Sequence, residues 1–190
     1  MSRSEEFIAE IRREFPRFCI IKKRESSLSR VIDVVLKVLT VGAQREFMTR
    51  YHTVLWDRLY VPELWENTAD LSRLITLRHE RIHLRQRRRY GDFVMTFLYL
   101  IPLFPVGLAY GRARIEWEAY TETIRATAEY RGLAAARSTE LRRHILRQFT
   151  SGAYGWMWPF PAMLNRWYDE ALHRIEAELR DPPTLQNGVA

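Results

Sequence analysis

Two histidines one helical turn apart constrain the fold of this chain more than any other feature. His79 and His83 belong to the pentapeptide HERIH, inside an amphipathic run over residues 71–86. Residues four apart lie on the same face of an α-helix, so both imidazoles can bind one metal ion. Glu80 lies beside that face, where it can accept a proton from a water on the metal without being a ligand. The pattern therefore predicts a helix that presents a zinc site.

The composition is that of a single globular domain, predicted to span residues 1–180 before a disordered tail at 181–190. Of the 190 residues, 47% are apolar and 28% are charged, which excludes a disordered chain. The formal charge of +7 permits nucleic acid or anionic lipid as partners without indicating either. Cys19 is the single cysteine, so neither an internal disulfide nor a thiolate zinc cluster can form. Because the N-terminus has no apolar signal core, we expect a cytoplasmic protein.

The segments before the metal helix are predicted to alternate between helix and strand. Hydrophobic spacing indicates amphipathic helices at residues 5–15 and 31–39, with a short strand at residues 18–21 between them. Over residues 47–61, aromatic and β-branched side chains alternate with the opposite face. This second pattern predicts a β-hairpin that turns at residues 57–58, just upstream of the metal helix.

The metal helix itself is predicted to begin after Asn67 or Thr68, either of which can cap it, and to end at Gly91. Imidazoles on an otherwise apolar stripe need polar partners, which favours metal binding over a solvated pair. The predicted inward face consists of Leu71, Leu74, Ile75, His79, Ile82, His83 and Gln86.

An uncharged segment of 19 residues, Phe93 to Gly111, follows the metal helix and is just long enough to cross a bilayer. A single span would place His83 and the acidic residues after Arg112 on opposite sides of the membrane, where they could not share a metal. We therefore expect a buried hairpin that turns at residues 102–105, where two prolines lie. Peripheral membrane contact through residues 85–111 is compatible with this hairpin.

The next helix, predicted over residues 113–130, has two different sides. Charged side chains share the solvated side at about 100° per residue: Arg114, Glu118, Glu122, Arg125 and Glu129. The opposite side carries Glu116 together with Ala119, Tyr120, Thr123, Thr127 and Tyr130. A carboxylate on a buried face is costly unless it is paired or coordinated. Glu116 is therefore the predicted third ligand, and a salt bridge to a buried arginine, such as Arg78, is the structural alternative.

Two further helices complete the predicted fold. Ser138 or Thr139 caps a helix that runs to Phe149, and Pro161 is suited to the first turn of the last helix. The inward residues of that last helix are Leu164, Trp167, Ala171, Leu172 and Ile175. The predicted fold class is mainly α with a small β-hairpin or sheet (α+β), in which the active-site helix packs on a later, glutamate-bearing helix.

These motifs resemble those of the gluzincin clan of zinc metallopeptidases, in which HExxH is followed by a glutamate on a later helix. Residues 116–120, EWEAY, match the glutamate and alanine of the E-x-x-A-D context of several gluzincin families, with tyrosine in place of the acid. Glu118 begins a looser match to E-x-x-S-D, and the helical-face argument favours Glu116. Gln86 extends the motif to HExxHxxQ, and this longer motif resembles that of small zincin-like bacterial proteins. The resemblance covers residues 47–130 and implies a zincin-like fold.

The resemblance also implies an activity, the hydrolysis of a peptide or protein by one zinc ion per chain. The ligands would be His79, His83 and Glu116, with Glu80 as the general base. Zincins commonly bind extended peptide along a strand edge, which here would be residues 51–55. Candidate stabilisers of the negative charge in the transition state are Tyr154, His173, Tyr120 and Tyr168.

Two other functional classes remain open from the sequence. A di-iron carboxylate bundle needs E-x-x-H on two helices, and Glu80–His83 and Glu170–His173 both have this spacing, with Glu116 as a further ligand. A non-catalytic basic module would use residues 85–89 to bind a membrane surface or nucleic acid. No recognised nucleic-acid motif accompanies these arginines.

Overall fold

Helices account for most of the described chain, as the sequence predicts. The computed structural model describes residues 1–26, 52–100, 108–151 and 157–181. Within these ranges the helices are α1 (Arg3–Glu14), α2 (Asp70–Tyr90), α3 (Asp92–Leu100), α4 (Leu108–Arg131), α5 (Leu133–Ala136), α6 (Thr139–Thr150) and α7 (Pro161–Arg180). The strands are β1 (Cys19–Lys22), β2 (Thr53–Leu55) and β3 (Arg58–Val61). The prediction of a mainly α fold with a small β-sheet is confirmed.

The three strands form one small sheet in the order β1-β3-β2. β2 and β3 pair antiparallel, with Leu55 opposite Arg58 across a two-residue turn. Trp56 occupies the left-handed region at φ 52°, as tight hairpin turns require. The hairpin is confirmed, and its turn lies one residue earlier than predicted. β1 pairs parallel with β3, which places the end of the first segment beside the hairpin.

The start of α2 differs from the sequence-based prediction. Its N-cap residue is Ala69, which makes no side-chain cap, so the predicted caps Asn67 and Thr68 are wrong. Asp70, the first residue of α2, instead accepts hydrogen bonds from two backbone amides in the first turn of α1 and from the Ser4 hydroxyl. A negative charge at a helix N-terminus is favourable, so this carboxylate fastens α1 to α2.

α2 and α4 are antiparallel neighbours, and polar contacts mark their register from end to end. Arg131 of α4 donates to the Ser72 hydroxyl of α2 at 2.8 Å. At the other end, the Gln86 amide nitrogen donates to the carbonyl oxygen of Ile115 at 3.0 Å. The predicted packing of the metal helix on the later glutamate-bearing helix is therefore confirmed.

Two hydrophobic clusters lie on either side of the contact between α2 and α4. The first joins α1, the sheet and α2 through Ile11, Phe15, Phe18, Val54, Leu59, Val61, Trp65, Leu77 and Leu84. The second joins α4 to the three following helices and includes Trp117, Tyr120, Ile124, Ile145, Phe149, Leu164, Tyr168 and Ile175. The polar groups between α2 and α4 are thus shielded from water by a core on each side.

The uncharged segment contributes α3 and the first turn of α4. Its predicted turn at residues 102–105 lies outside the described residues. Over the ranges that the structure describes, no helix combines the length and hydrophobicity needed to cross a membrane. The predicted helix at residues 31–39, the start of the hairpin at residues 47–51 and the tail from residue 182 also lie outside the described residues.

The last two long helices follow the prediction closely. The Ser138 hydroxyl accepts a hydrogen bond from the Leu141 amide at 3.2 Å and caps α6. α7 begins at Pro161, and all five residues predicted to point inward are buried. Asp181, the first residue of the predicted tail, still closes α7 because its amide donates to the carbonyl oxygen of Ala177 at 3.0 Å.

Candidate metal centre

α2 presents two different stripes of side chains to its neighbours. The stripe that faces α4 repeats at intervals of four and three residues and consists of His79, His83 and Gln86. The stripe on the side of the first hydrophobic cluster consists of Leu77, Glu80 and Leu84. The pentapeptide therefore directs its histidines and its glutamate to different partners, because adjacent positions on a helix diverge by about 100°.

Three candidate ligand atoms converge at the contact between α2 and α4. His83 Nε2 lies 3.2 Å from His79 Nε2 and 3.6 Å from Glu116 Oε2. The ligand atoms of all three residues lie within 4.8 Å of one another. Two imidazole nitrogens on a tetrahedral zinc ion are about 3.3 Å apart, given metal–nitrogen bonds of about 2.0–2.1 Å. The observed nitrogen–nitrogen distance fits this geometry.

The hydrogen bond at Nδ1 of His83 determines which of its two ring nitrogens carries the proton. Gln86 Nε2 donates to the Ile115 carbonyl oxygen at 3.0 Å and to Glu118 Oε2 at 2.9 Å, and both of these atoms only accept. The amide oxygen of Gln86 must then face His83 Nδ1, which lies 2.9 Å away. His83 Nδ1 therefore carries a proton, and its Nε2 directs a lone pair toward Glu116 when the ring is neutral.

His79 is oriented in the same manner by α4. Its Nδ1 lies 3.0 Å from the Thr123 hydroxyl oxygen. That hydroxyl donates its own proton to the carbonyl oxygen of Ala119 at 3.3 Å, so it accepts from His79. The ring of Tyr120 packs edge-on against His79 with centroids 4.7 Å apart. His79 Nε2 is consequently also available as a ligand.

Two lone pairs 3.2 Å apart require a proton or a cation between them. In the metal-free protein, burial would lower the pKa of His83, but the carboxylate of Glu116 outweighs it and raises the pKa to about 9. Burial lowers the pKa of His79 to about 3, so this ring stays neutral. His83 thus holds a proton at the position that a metal ion would take, and metal binding would release it.

Glu80 occupies an environment that suits a proton carrier. Its side chain is buried, and burial raises the pKa of its carboxyl group to about 7. The charge of His83 lowers this pKa and that of Glu116 raises it, but burial is the largest effect. Lys23, which is buried directly after β1, also lowers the pKa of Glu80. A pKa near neutrality is favourable for a group that both accepts and donates a proton.

His52 is a neighbour of the centre that the sequence analysis did not identify. It precedes β2, which packs on α2, the helix that carries His79 and His83. Its Nε2 is buried and has no hydrogen-bond partner among the residues that the structure describes, and its ring lies edge-on to Trp65 at 5.1 Å. Burial lowers the pKa of His52 to about 4, so the ring is neutral. In the predicted strand His52 shares a face with Val54, two residues later, and this spacing was the available signal.

Arg78, the arginine given above as a possible partner of Glu116, pairs with other glutamates of α4. These are Glu122, at 2.5 Å, and Glu129, both farther along the helix. Glu116 is only 5% exposed and lies beside His83. Glu118 has an exposed side chain, as predicted, but its hydrogen bond to Gln86 gives it a part in holding His83.

The four residues predicted as stabilisers of negative charge in the transition state lie in different places. Tyr120 is at the centre, packed on His79. Tyr154 lies outside the described residues. His173 is exposed on α7, where its charge acts on the pKa of Glu176. The hydroxyl of Tyr168 donates to the carbonyl oxygen of Ala136 at 2.7 Å, so it is engaged in the core.

The second E-x-x-H pair does not join the first. Glu170 and His173 both have exposed side chains on α7, while the buried residues of that helix pack against α4 and α6. A di-iron bundle site requires both pairs to project into a shared interior. The described residues do not have this arrangement.

No family model, curated protein or solved structure matches this chain. The resemblance to gluzincins therefore remains an expectation from the sequence motifs. The geometry of the centre itself is the basis for assigning a function.

Proposed function

We propose that this chain is a zinc-dependent hydrolase that acts on a peptide or protein and binds one zinc ion per chain. The convergence of His79 Nε2, His83 Nε2 and the Glu116 carboxylate within 4.8 Å is the observation that carries this proposal. Two neutral imidazoles and one carboxylate form a ligand set that leaves a bound zinc ion with net positive charge. The hydrogen bonds at both Nδ1 atoms support metal binding, because oriented imidazoles need no rearrangement.

Zinc in such a site supplies a Lewis acid that acidifies water and polarises a carbonyl group. The chain's own residues supply the rest of the proposed chemistry. Glu80 accepts a proton from the attacking water and delivers it to the leaving amine. Its buried position keeps competing water away from the carboxyl group and holds its pKa in the range where both transfers are feasible.

A peptide substrate is supported by the position of the sheet. β2 lies at one edge of the sheet that the described residues form, and it packs against α2. An extended peptide can add to such an edge through main-chain hydrogen bonds. His52 immediately precedes β2, so a peptide held there would pass this histidine. We therefore assign His52 the role of donating a hydrogen bond to the substrate oxygen that becomes negative.

The phenylalanine variant of His52 tests this assignment. We expect His52→Phe to lower kcat/KM for peptide hydrolysis by at least about tenfold, because a donor to the developing charge is lost. Phenylalanine preserves the edge-on contact with Trp65 and removes a buried nitrogen for which the described part of the chain offers no hydrogen-bond partner. Thermal unfolding should therefore be unchanged or shifted upward. A variant with lower stability and unchanged kcat/KM would show that His52 is only structural.

Zinc content is the direct test of the proposed function. Protein purified from zinc-replete medium should contain about one zinc per chain by elemental analysis, and His79→Ala and His83→Ala should lose it. Zinc at about a thousandfold excess over its Kd should raise the free energy of unfolding by about 4 kcal/mol. For a chain of this size, that corresponds to an increase in Tm of about 8–16 °C, reversed by a chelator.

His173→Ala is the matched control because it removes an exposed imidazole on α7. We expect this variant to keep its zinc and its chelator-sensitive Tm. Metal-free wild-type protein from the same preparation would overturn the proposal. Two irons per chain, lost in His173→Ala, would favour the carboxylate bundle instead.

A further inference from the structure

α3 presents an apolar face to solvent, which is unusual for a short helix in a folded domain. Phe93 is 83% exposed, and Val94 and Phe97 are each 45% exposed. These positions fall within about 100° of the helix circumference. Met95 on the opposite side is fully buried, so the helix is packed in place and its apolar face points outward. Single exposed apolar residues are common, but a contiguous group indicates an interaction surface.

α3 packs beside the start of α4, where an aromatic row begins with Tyr110. Leu98 of α3 approaches to 3.4 Å from the position that a Cβ would take at Gly111. Tyr110 packs on Trp158 with centroids 5.1 Å apart, and Trp158 packs on Phe160 at 4.9 Å. Tyr110 and Phe160 are both exposed. We refer to Phe93, Val94, Phe97, Tyr110, Trp158 and Phe160 together as the apolar end.

Positive charges border the apolar end. Arg88 and Arg89 are exposed in the last turn of α2, and Arg89 lies 5.2 Å from the ring centre of Tyr90. Neither arginine makes an ion pair with the residues that the structure describes. Arg85, in the preceding turn, differs from them because it makes an ion pair with Glu14 at 2.7 Å. The helix C-terminus favours Arg88 and Arg89 electrostatically, and their guanidinium groups stay available to phosphates.

The acidic residue that follows this border in the chain is paired with an arginine. Asp92, the first residue of α3, pairs with Arg87 at 2.6 Å. Beside the aromatic row, Arg114 lies 5.0 Å above the ring centre of Trp167, which Tyr110 also contacts. The apolar end is therefore bordered by cations and has tryptophan and tyrosine at its margin, a composition that suits the region of lipid headgroups.

We propose that the apolar end rests on the surface of a membrane that contains anionic lipid. α3 is nine residues long, about 14 Å, and lies in the interface with Phe93 and Phe97 toward the acyl chains. Arg88 and Arg89 bind lipid phosphates, and the aromatic row occupies the headgroup region. The cationic border favours a lipid surface over a second copy of this chain, because two such borders would repel each other. This inference is independent of the metal centre.

Co-sedimentation with lipid vesicles tests the proposal on the full chain. Wild-type protein should bind vesicles of phosphatidylcholine mixed with phosphatidylglycerol more tightly than vesicles of phosphatidylcholine alone. The double variant Phe93→Ser/Phe97→Ser should weaken binding to both kinds of vesicle by at least about tenfold. Arg88→Glu/Arg89→Glu should abolish the preference for the anionic vesicles, since each arginine contributes about fivefold to binding.

The chain provides a matched control for each variant. Leu64→Ser removes another largely exposed apolar side chain, and Arg12→Glu/Arg13→Glu reverses two exposed arginines in the last turn of α1. Both controls should bind vesicles as the wild type does. Equal losses in the controls, or no binding of the wild type to anionic vesicles, overturn the proposal. Concentration-dependent dimers that Phe93→Ser/Phe97→Ser abolishes, without vesicle binding, would assign the surface to contact between copies.

Discussion

Glu80→Gln is expected to keep one zinc per chain while peptide hydrolysis falls by about 10²–10⁴-fold. Glutamine has nearly the shape of glutamate, so the stripe of Leu77 and Leu84 can pack unchanged around it. The amide cannot accept and return a proton, which is the role proposed for the carboxylate. The three proposed ligands lie on the other stripe of α2 and on α4, so their geometry should be preserved.

The pH profile provides an independent readout of the same residue. Burial raises the pKa of Glu80 to about 7 in the metal-free protein, and a bound cation would lower it. The carboxylate must be ionised to accept a proton, so kcat/KM should rise with pH through this pKa and fall below it. We therefore expect the acidic limb of wild-type kcat/KM below about pH 7, and its loss in Glu80→Gln.

Glu140→Gln is the control for this experiment, because Glu140 is an exposed carboxylate on α6. It should retain both zinc and full activity. If Glu80→Gln lost zinc as His79→Ala is expected to, Glu80 would be a ligand and the proposed division of roles would be wrong. Undiminished hydrolysis in Glu80→Gln would remove Glu80 from the chemistry.

The local patterns of the sequence predicted much of this architecture. The spacing of His79, His83 and Gln86 defined one face of α2, and the period of α4 placed Glu116 opposite Glu118. The cap at Ser138 and the helix start at Pro161 were predicted because each is encoded by residues adjacent in sequence. Whether the chain is zincin-like, cytoplasmic or catalytic stays a prediction.

Partners distant in sequence could not be predicted in the same way. Hydrophobic periodicity indicated β1 as a strand but not its parallel pairing with β3. Asn67 and Thr68 had side chains suited to cap α2, but neither does so. Asp70 instead accepts hydrogen bonds at the N-terminus of α1, from Ser4, which is 66 residues away in the sequence. His52 approaches the centre only because the hairpin folds onto α2. Each of these depends on tertiary packing, which overrides local preference.

The carboxylate ligand is tested by a ranking of three variants in zinc affinity. Glu116→Gln should weaken zinc binding by more than about a hundredfold, because residues that only orient a ligand already contribute about 10–100-fold. Gln86→Leu should fall within that lower range, since it frees His83 Nδ1. Glu118→Gln should be nearly unchanged, because an amide oxygen can still accept the hydrogen bond from Gln86.

Titration against a competing chelator gives the three affinities, and circular dichroism of the metal-free variants establishes that each is folded. Gln148→Leu on α6 is the control for Gln86→Leu. If Glu118→Gln lost more zinc affinity than Glu116→Gln, Glu118 would be the ligand instead of Glu116. Equal and negligible effects in both would leave the centre without a carboxylate from α4, and the proposed zinc site would fail.

The expected ranking follows from how the two glutamates relate to one histidine. Glu116 and Glu118 diverge by about 200° on α4, so they cannot reach the same ion. Glu116 lies 3.6 Å from His83 Nε2, on the side where the metal would bind. Glu118 accepts from Gln86 at 2.9 Å, and Gln86 in turn faces His83 Nδ1 at 2.9 Å. Glu116 therefore completes the ligand set, while Glu118 helps to orient the His83 ring through Gln86. Only Glu116 should be indispensable to zinc binding.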